Sequence, residues 1–89
     1  MTLPAPRLVD VHAHICDPDF DRDRPDVLAR AHQAGVAAIV AVGETLADAR
    51  KNLGLARTHP MLRVAAGLYP TILDLDQADE MVAFIRHHH

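Results

Sequence analysis

The chain has 89 residues, 49% hydrophobic and 24% charged, with a formal net charge of −3, seven histidines and one cysteine. This length suits a single core, this apolar fraction excludes intrinsic disorder, and a lone cysteine excludes a disulfide framework. No apolar run approaches the roughly 20 residues that span a bilayer, and the opening Met1-Thr2-Leu3-Pro4-Ala5-Pro6 lacks the charged-then-apolar order of a leader. A soluble protein in a reducing cytoplasm, with no membrane partner, is the expectation. Nine Lys plus Arg supply no electrostatic footprint for holding nucleic acid through phosphate contacts alone. Phosphate chemistry on this chain therefore calls for a metal.

Three short apolar runs, over residues 8–15, 36–42 and 64–68, read as strands, each followed by a polar loop and a helix-like stretch. The second run has no polar alternation, as expected of a parallel strand buried on both faces. The first helix is expected to open at Pro25, with Asp23 as its cap. Val27, Leu28, Ala31 and Ala34 form its apolar side, and Gly35 ends it. The second starts at Thr45, with Asp48 completing a weak form of capping box. Leu46, Ala49, Leu53 and Ala56 recur at helical spacing before Pro60 closes the segment. The third starts near Asp74, with Gln77 three residues on and an apolar face of Leu75, Ala78, Met81, Val82 and Ile85. The order βαβαβα predicts an α/β fold with a parallel sheet and right-handed crossovers. Three such units leave open sheet edges, so the sequence reads as part of a larger α/β domain.

Chemistry concentrates in Leu8-Val9-Asp10-Val11-His12-Ala13-His14-Ile15. On a regular strand Asp10, His12 and His14 share one face and Val9, Val11, Ala13 and Ile15 the other. Three ionisable groups in an apolar strand are costly unless a ligand or neighbouring group satisfies them. Imidazoles two residues apart, about 6–7 Å along the strand, can converge on one divalent ion. The bland alternative is a pair of solvent-facing or hydrogen-bonded histidines.

Other candidates divide in the same way. Glu44 lies just after the second strand, where barrel enzymes place functional groups, and equally suits the negative charge favoured at a helix start. Cys16 is either a ligand or nucleophile, or a small half-buried side chain. Asp17, Asp19, Asp21, Asp23 and Asp26 suggest a calcium loop but lack the glycine and closing glutamate of an EF-hand, which favours a solvated loop. The run His87-His88-His89 reads as native sequence or a tag remnant before a metal-binding tail, and His32 and His59 are scattered.

The Asp-x-His-x-His strand, the run at 36–43, the helix over 46–56 and Ala65-Ala66-Gly67-Leu68-Tyr69-Pro70 together resemble the amino-terminal part of a TatD-family metal-dependent hydrolase. The resemblance covers nearly the whole chain. It implies a TIM-type (β/α)8 barrel, with residues 1–89 as one partial domain of three βα units, about a third of a barrel of roughly 250 residues. It also implies metal-dependent deoxyribonuclease activity on DNA or another phosphodiester, with zinc, magnesium or manganese as the cation. His12 and His14 become metal ligands, and Asp10 a supporting group that accepts an imidazole's other N–H. The family's remaining ligands, a glutamate, two histidines and an aspartate from later strands, have no counterpart in this sequence. Cys16 stands where many members carry an acidic residue, and Tyr69-Pro70-Thr71 where many carry His-Pro-His. An amidohydrolase-like or PHP-type enzyme is the nearest alternative, although Ile15-Cys16-Asp17-Pro18 lacks the Ser and Asp-Gly that usually follow the PHP opening. The other alternative is a non-catalytic interaction remnant, and the chain alone is expected to be inactive.

Overall fold

The computed structural model describes residues 7–72 and 74–88. Residues 1–6, read above for a leader, and His89 of the terminal run lie outside the described residues. Strand β1 (Leu8–Ala13) leads through a 3-10 turn (Pro18–Phe20) to helix α1 (Arg24–Gln33), then β2 (Val36–Ala41), α2 (Leu46–Thr58), β3 (Leu62–Val64), a second 3-10 turn (Pro70–Ile72) and α3 (Leu75–His88). The strands form one parallel sheet in the order β1-β2-β3. This is the expected α/β architecture of three βα units, and it matches the start of a TIM-type barrel.

Local chemistry explains the boundaries. Pro25 occupies the first turn of α1, where its missing N–H costs nothing. Asp23 holds the cap position, but its side chain makes no capping hydrogen bond. Gly35 follows α1 with φ of 103°, a left-handed conformation that glycine adopts without a Cβ clash, and its carbonyl accepts the Leu8 N–H at 2.8 Å. At α2, Thr45 Oγ1 accepts the Asp48 N–H at 3.1 Å, while Asp48 Oδ2 accepts the Glu44 N–H at 2.8 Å. The reciprocal cap therefore reaches one residue further back than the sequence pattern implies.

The third strand overlaps the expected run only at Val64. Its ladder pairs Ile39 with Leu62, Val40 with Arg63 and Ala41 with Val64. The charged Arg63 hides the strand's beginning from an apolar pattern, and β2 ends at Ala41, leaving 65–68 little to pair with. Strand β2 is less enclosed than its composition predicts: Ile39 and Ala41 are buried and the other four residues half-buried.

The core forms two clusters. Ile15, Leu28, Ile39, Ala41 and Leu62 pack between the sheet and the first two helices, and Leu46, Ala49 and Met81 join α2 to α3. Helix α3 rests on Met81, with Phe84 packed beside it, whereas Leu75, Val82 and Ile85 are exposed. Only part of its expected apolar face is thus covered. Val9 and Val11 on β1 are exposed as well, Val11 by 72%, and among the described residues no strand pairs with the outer edge of β1.

Candidate metal centre

Strand β1 is not regular where the histidines lie. Asp10 pairs with Ile39 and Ala13 with Ala41, so three steps on β1 span two on β2, the signature of a bulge. Asp10 Oδ1 accepts the backbone N–H of His12 at 3.0 Å across this irregularity. The described hydrogen bond of Asp10 thus serves the strand's backbone, where the sequence reading has it orienting an imidazole. Strict alternation of faces is broken, yet the His12 and His14 rings meet edge to face, with centroids 5.2 Å apart and planes at 73°. Both side chains are exposed. Two imidazoles at this separation suit a shared divalent cation as donors, and they amount to half of a tetrahedral shell. Among the described residues no group of three or more His, Cys, Asp or Glu is placed to hold a metal.

The carboxyl ends of β1 and β2 open into a cleft of about 220 Å³ lined by His14, Cys16, Asp17, Pro18, Glu44 and Asp48. The Tyr69 N–H donates to the Glu44 carbonyl at 2.8 Å, drawing the segment after β3 to the same end. His14 and Glu44 therefore border one space, which their 30-residue separation in sequence hides. Cys16 is buried, and its Sγ lies 4.0 Å from the Val42 carbonyl. Burial, reinforced by the Asp48 charge, pushes its thiol pKa up, which argues against a ready nucleophile.

Two supporting residues escaped the sequence reading. Asn52 of α2 is fully buried; its Nδ2 donates to the Val42 carbonyl at 3.2 Å, and its Oδ1 has no partner among the described residues. Arg24 is 6% exposed, and it donates through Nε to the Ile15 carbonyl at 2.7 Å and through Nη2 to the Asp17 carbonyl at 3.0 Å. Neither has a sequence signal, because a polar residue on a helix gives no sign of its burial until the loop opposite is known.

The remaining candidates serve structure or lie elsewhere. Asp17 caps the first 3-10 turn by accepting the Asp19 N–H at 2.9 Å, and Asp21 pairs with Arg24 at 2.8 Å and Lys51 at 2.9 Å. These two carboxylates of the acidic run thus serve the loop and the start of α1. His32 and His59 border a groove with Pro25, Leu28 and Met61. The His87 and His88 rings meet edge to face, with His88 against Phe84, in the groove between α2 and α3, so neither borders the cleft at His14.

A parallel βα array with paired histidines leaving its first strand defines the class of α/β proteins that place ligands at the carboxyl ends of their strands. The chain belongs to the TatD related DNase family, whose model matches residues 9–88. Human deoxyribonuclease TATDN3 is 42% identical over 84 residues, covering 80% of this chain and 31% of that protein. The 3'-5' ssDNA/RNA exonuclease TatD of Salmonella typhimurium is 33% identical over 63 residues, covering 71% of this chain and 24% of that protein. An Escherichia coli protein described as metal-dependent hydrolase YjjV is 35% identical over 68 residues, covering 76% and 26%. The chain thus spans at most about a third of the length of these relatives.

Proposed function

We propose that this chain supplies the first metal-binding element of a TatD-type metal-dependent hydrolase that cleaves phosphodiester bonds in DNA. The observation that carries the reading is the approach of the His12 and His14 rings to 5.2 Å beside the carboxyl end of a parallel sheet. Family membership and relatives named as deoxyribonuclease, exonuclease and metal-dependent hydrolase support it. Residues 1–89 are read as three βα units of a (β/α)8 barrel, one partial domain whose exposed β1 edge and α3 face suit cover by further units. A single unpaired cysteine supports a reducing, cytoplasmic setting.

In this reading His12 and His14 hold a divalent cation, and Asp10 keeps the strand leading into the pair in its bulged form. A bound cation of this kind polarises a phosphoryl oxygen and brings the pKa of a coordinated water towards 7. Glu44, on the rim beside His14, adds negative charge that favours a cation. Two imidazoles fit the start of such a donor set and do not complete it, so the isolated chain is read as a metal binder without turnover.

Cobalt(II) titration of the purified chain, followed by visible absorption, tests this directly. Expected is weak binding with nitrogen-ligand bands, lost in His12→Ala and in His14→Ala. Absence of binding in the unsubstituted chain refutes the ligand assignment. Metal-dependent cleavage of an oligonucleotide by the 89-residue chain, abolished by His12→Ala, refutes its inactivity.

A further inference from the structure

Arg24 is the first residue of α1, a position at which an arginine is normally solvated, yet it is buried at 6% exposure. Its planar fork is divided between two loop carbonyls and one carboxylate. Nε donates to Ile15 O at 2.7 Å, while Nη2 donates to Asp17 O at 3.0 Å and to Asp21 Oδ1 at 2.8 Å. Asp21 Oδ1 also accepts from Lys51 Nζ of α2 at 2.9 Å, so the clamp is anchored on both helices. The segment it grips begins one residue after His14, and the His14 carbonyl itself accepts the Asp17 N–H at 3.1 Å. A buried guanidinium is retained only when its donors are matched, and an apolar side chain would fill the same space at lower desolvation cost. Two of these bonds go to the backbone on either side of Cys16, which points to fixing the turn as the role of the burial.

We propose that Arg24 is a positioning residue for the histidine pair. By holding the 14–17 turn closed, it keeps the His14 imidazole beside that of His12. Asp21 and Lys51 act through it, aligning the guanidinium. Lysine cannot substitute, because a single ammonium does not reproduce donors spaced to reach both carbonyls. The inference rests on the metal reading for its purpose, whereas its test reads the positioning without metal.

The test uses the isotope-labelled 89-residue chain and records the nuclear Overhauser cross-peak between the His12 and His14 ring protons in metal-free buffer. The unsubstituted chain is expected to show the cross-peak clearly. Arg24→Lys should weaken it at least threefold and, where cobalt binds, lower cobalt affinity about tenfold, as when a group orienting a metal ligand is lost. Asp21→Ala, a change at an exposed carboxylate, should retain the fold and weaken the cross-peak to a lesser degree. A merely structural Arg24 would lower the unfolding midpoint and leave the cross-peak unchanged well below it. The proposal is overturned by an unchanged cross-peak in folded Arg24→Lys. Should that variant not fold, an unchanged cross-peak in Asp21→Ala overturns it equally, and so does absence of the cross-peak in the unsubstituted chain. A normal cross-peak without cobalt binding refutes the metal reading and leaves the positioning role standing.

Discussion

Gly43→Ala is the most direct test of how the second βα loop is built. A Cβ at residue 43 would lie 2.4 Å from Asp48 Cβ and 3.3 Å from Asp48 Cγ and Oδ2, where ordinary contact begins at 3.4 Å. Residue 48 must then retreat by about 1 Å, which the steep repulsive wall makes unavoidable. That movement breaks the Asp48 N–H to Thr45 Oγ1 cap at 3.1 Å and the Glu44 N–H to Asp48 Oδ2 bond at 2.8 Å. A lost cap costs about 1 kcal/mol and a hydrogen bond to a charged acceptor about 1.5–3 kcal/mol. The alanine returns roughly 0.4–1 kcal/mol by restricting the unfolded chain, because residue 43 is not among the left-handed glycines. The expected net loss is about 2–3 kcal/mol, or roughly 10–20 °C in Tm for a chain of this size. Urea and thermal unfolding by circular dichroism measure it. The control is Asp48→Gly, which removes the atom that the new Cβ meets. In that background Gly43→Ala should cost nothing and instead gain about 0.4–1 kcal/mol, the unfolded-chain effect alone. Equal losses in both backgrounds would show the steric reasoning to be wrong.

Three further outcomes are expected. Asp21, whose carboxyl pKa is lowered by hydrogen bonds from Lys51 and Arg24, contributes stability that is full above its unfolded pKa, near 3.9. That contribution is lost as pH falls through the lower folded value, so the difference between the unsubstituted chain and Asp21→Ala should vanish in acid urea titrations; a constant difference from pH 7 to 2 contradicts it. Cys16, buried and with a raised thiol pKa, should react with iodoacetamide at pH 7.5 at least tenfold more slowly in folded than in urea-unfolded chain, by mass spectrometry. Equal rates would show that the loop opens freely. Asn52→Asp puts a carboxyl at a fully buried site facing the Val42 carbonyl and should destabilise by about 3 kcal/mol or more at pH 7. Burial raises that carboxyl's folded pKa, so the penalty should grow as pH rises through about 4 and shrink below it; a pH-independent penalty argues for simple loss of the Asn52 donor.

The parts that local chemistry determines were legible in the sequence. Pro25, Gly35 and the Thr45-Asp48 pair bracket helices within a residue or two, because turn closure and capping depend on neighbours along the chain. The histidine pair was legible for the same reason, two residues apart where β1 ends. Pairings between segments were not. Arg63 concealed the start of β3, since its polarity says nothing of the ladder that Leu62 and Val64 join. Asn52 and Arg24 are polar groups whose burial depends on where Val42 and the 15–17 loop end up. The face of α3 was only partly legible. Its apolar stripe follows the helical period, yet Met81 and Phe84 carry the contact and Val82 and Ile85 remain outside, because among the described residues α2, Ala66 and Leu68 cover one side of the helix and leave the rest of the stripe bare.

The irregularity in β1 has a compensating partner. Between Leu8 and Val9 the strand takes one step while β2 takes two, and between Asp10 and Ala13 it takes three while β2 again takes two. Strands Leu8–Ala13 and Val36–Ala41 are each six residues long, so the opposite shifts cancel within them. They behave like a pair of dislocations of opposite sign in a crystal: the lattice is disturbed between them and aligned on either side. The distortion that presents His12 is thereby confined to a few residues, and the neighbouring strand keeps its register at both ends.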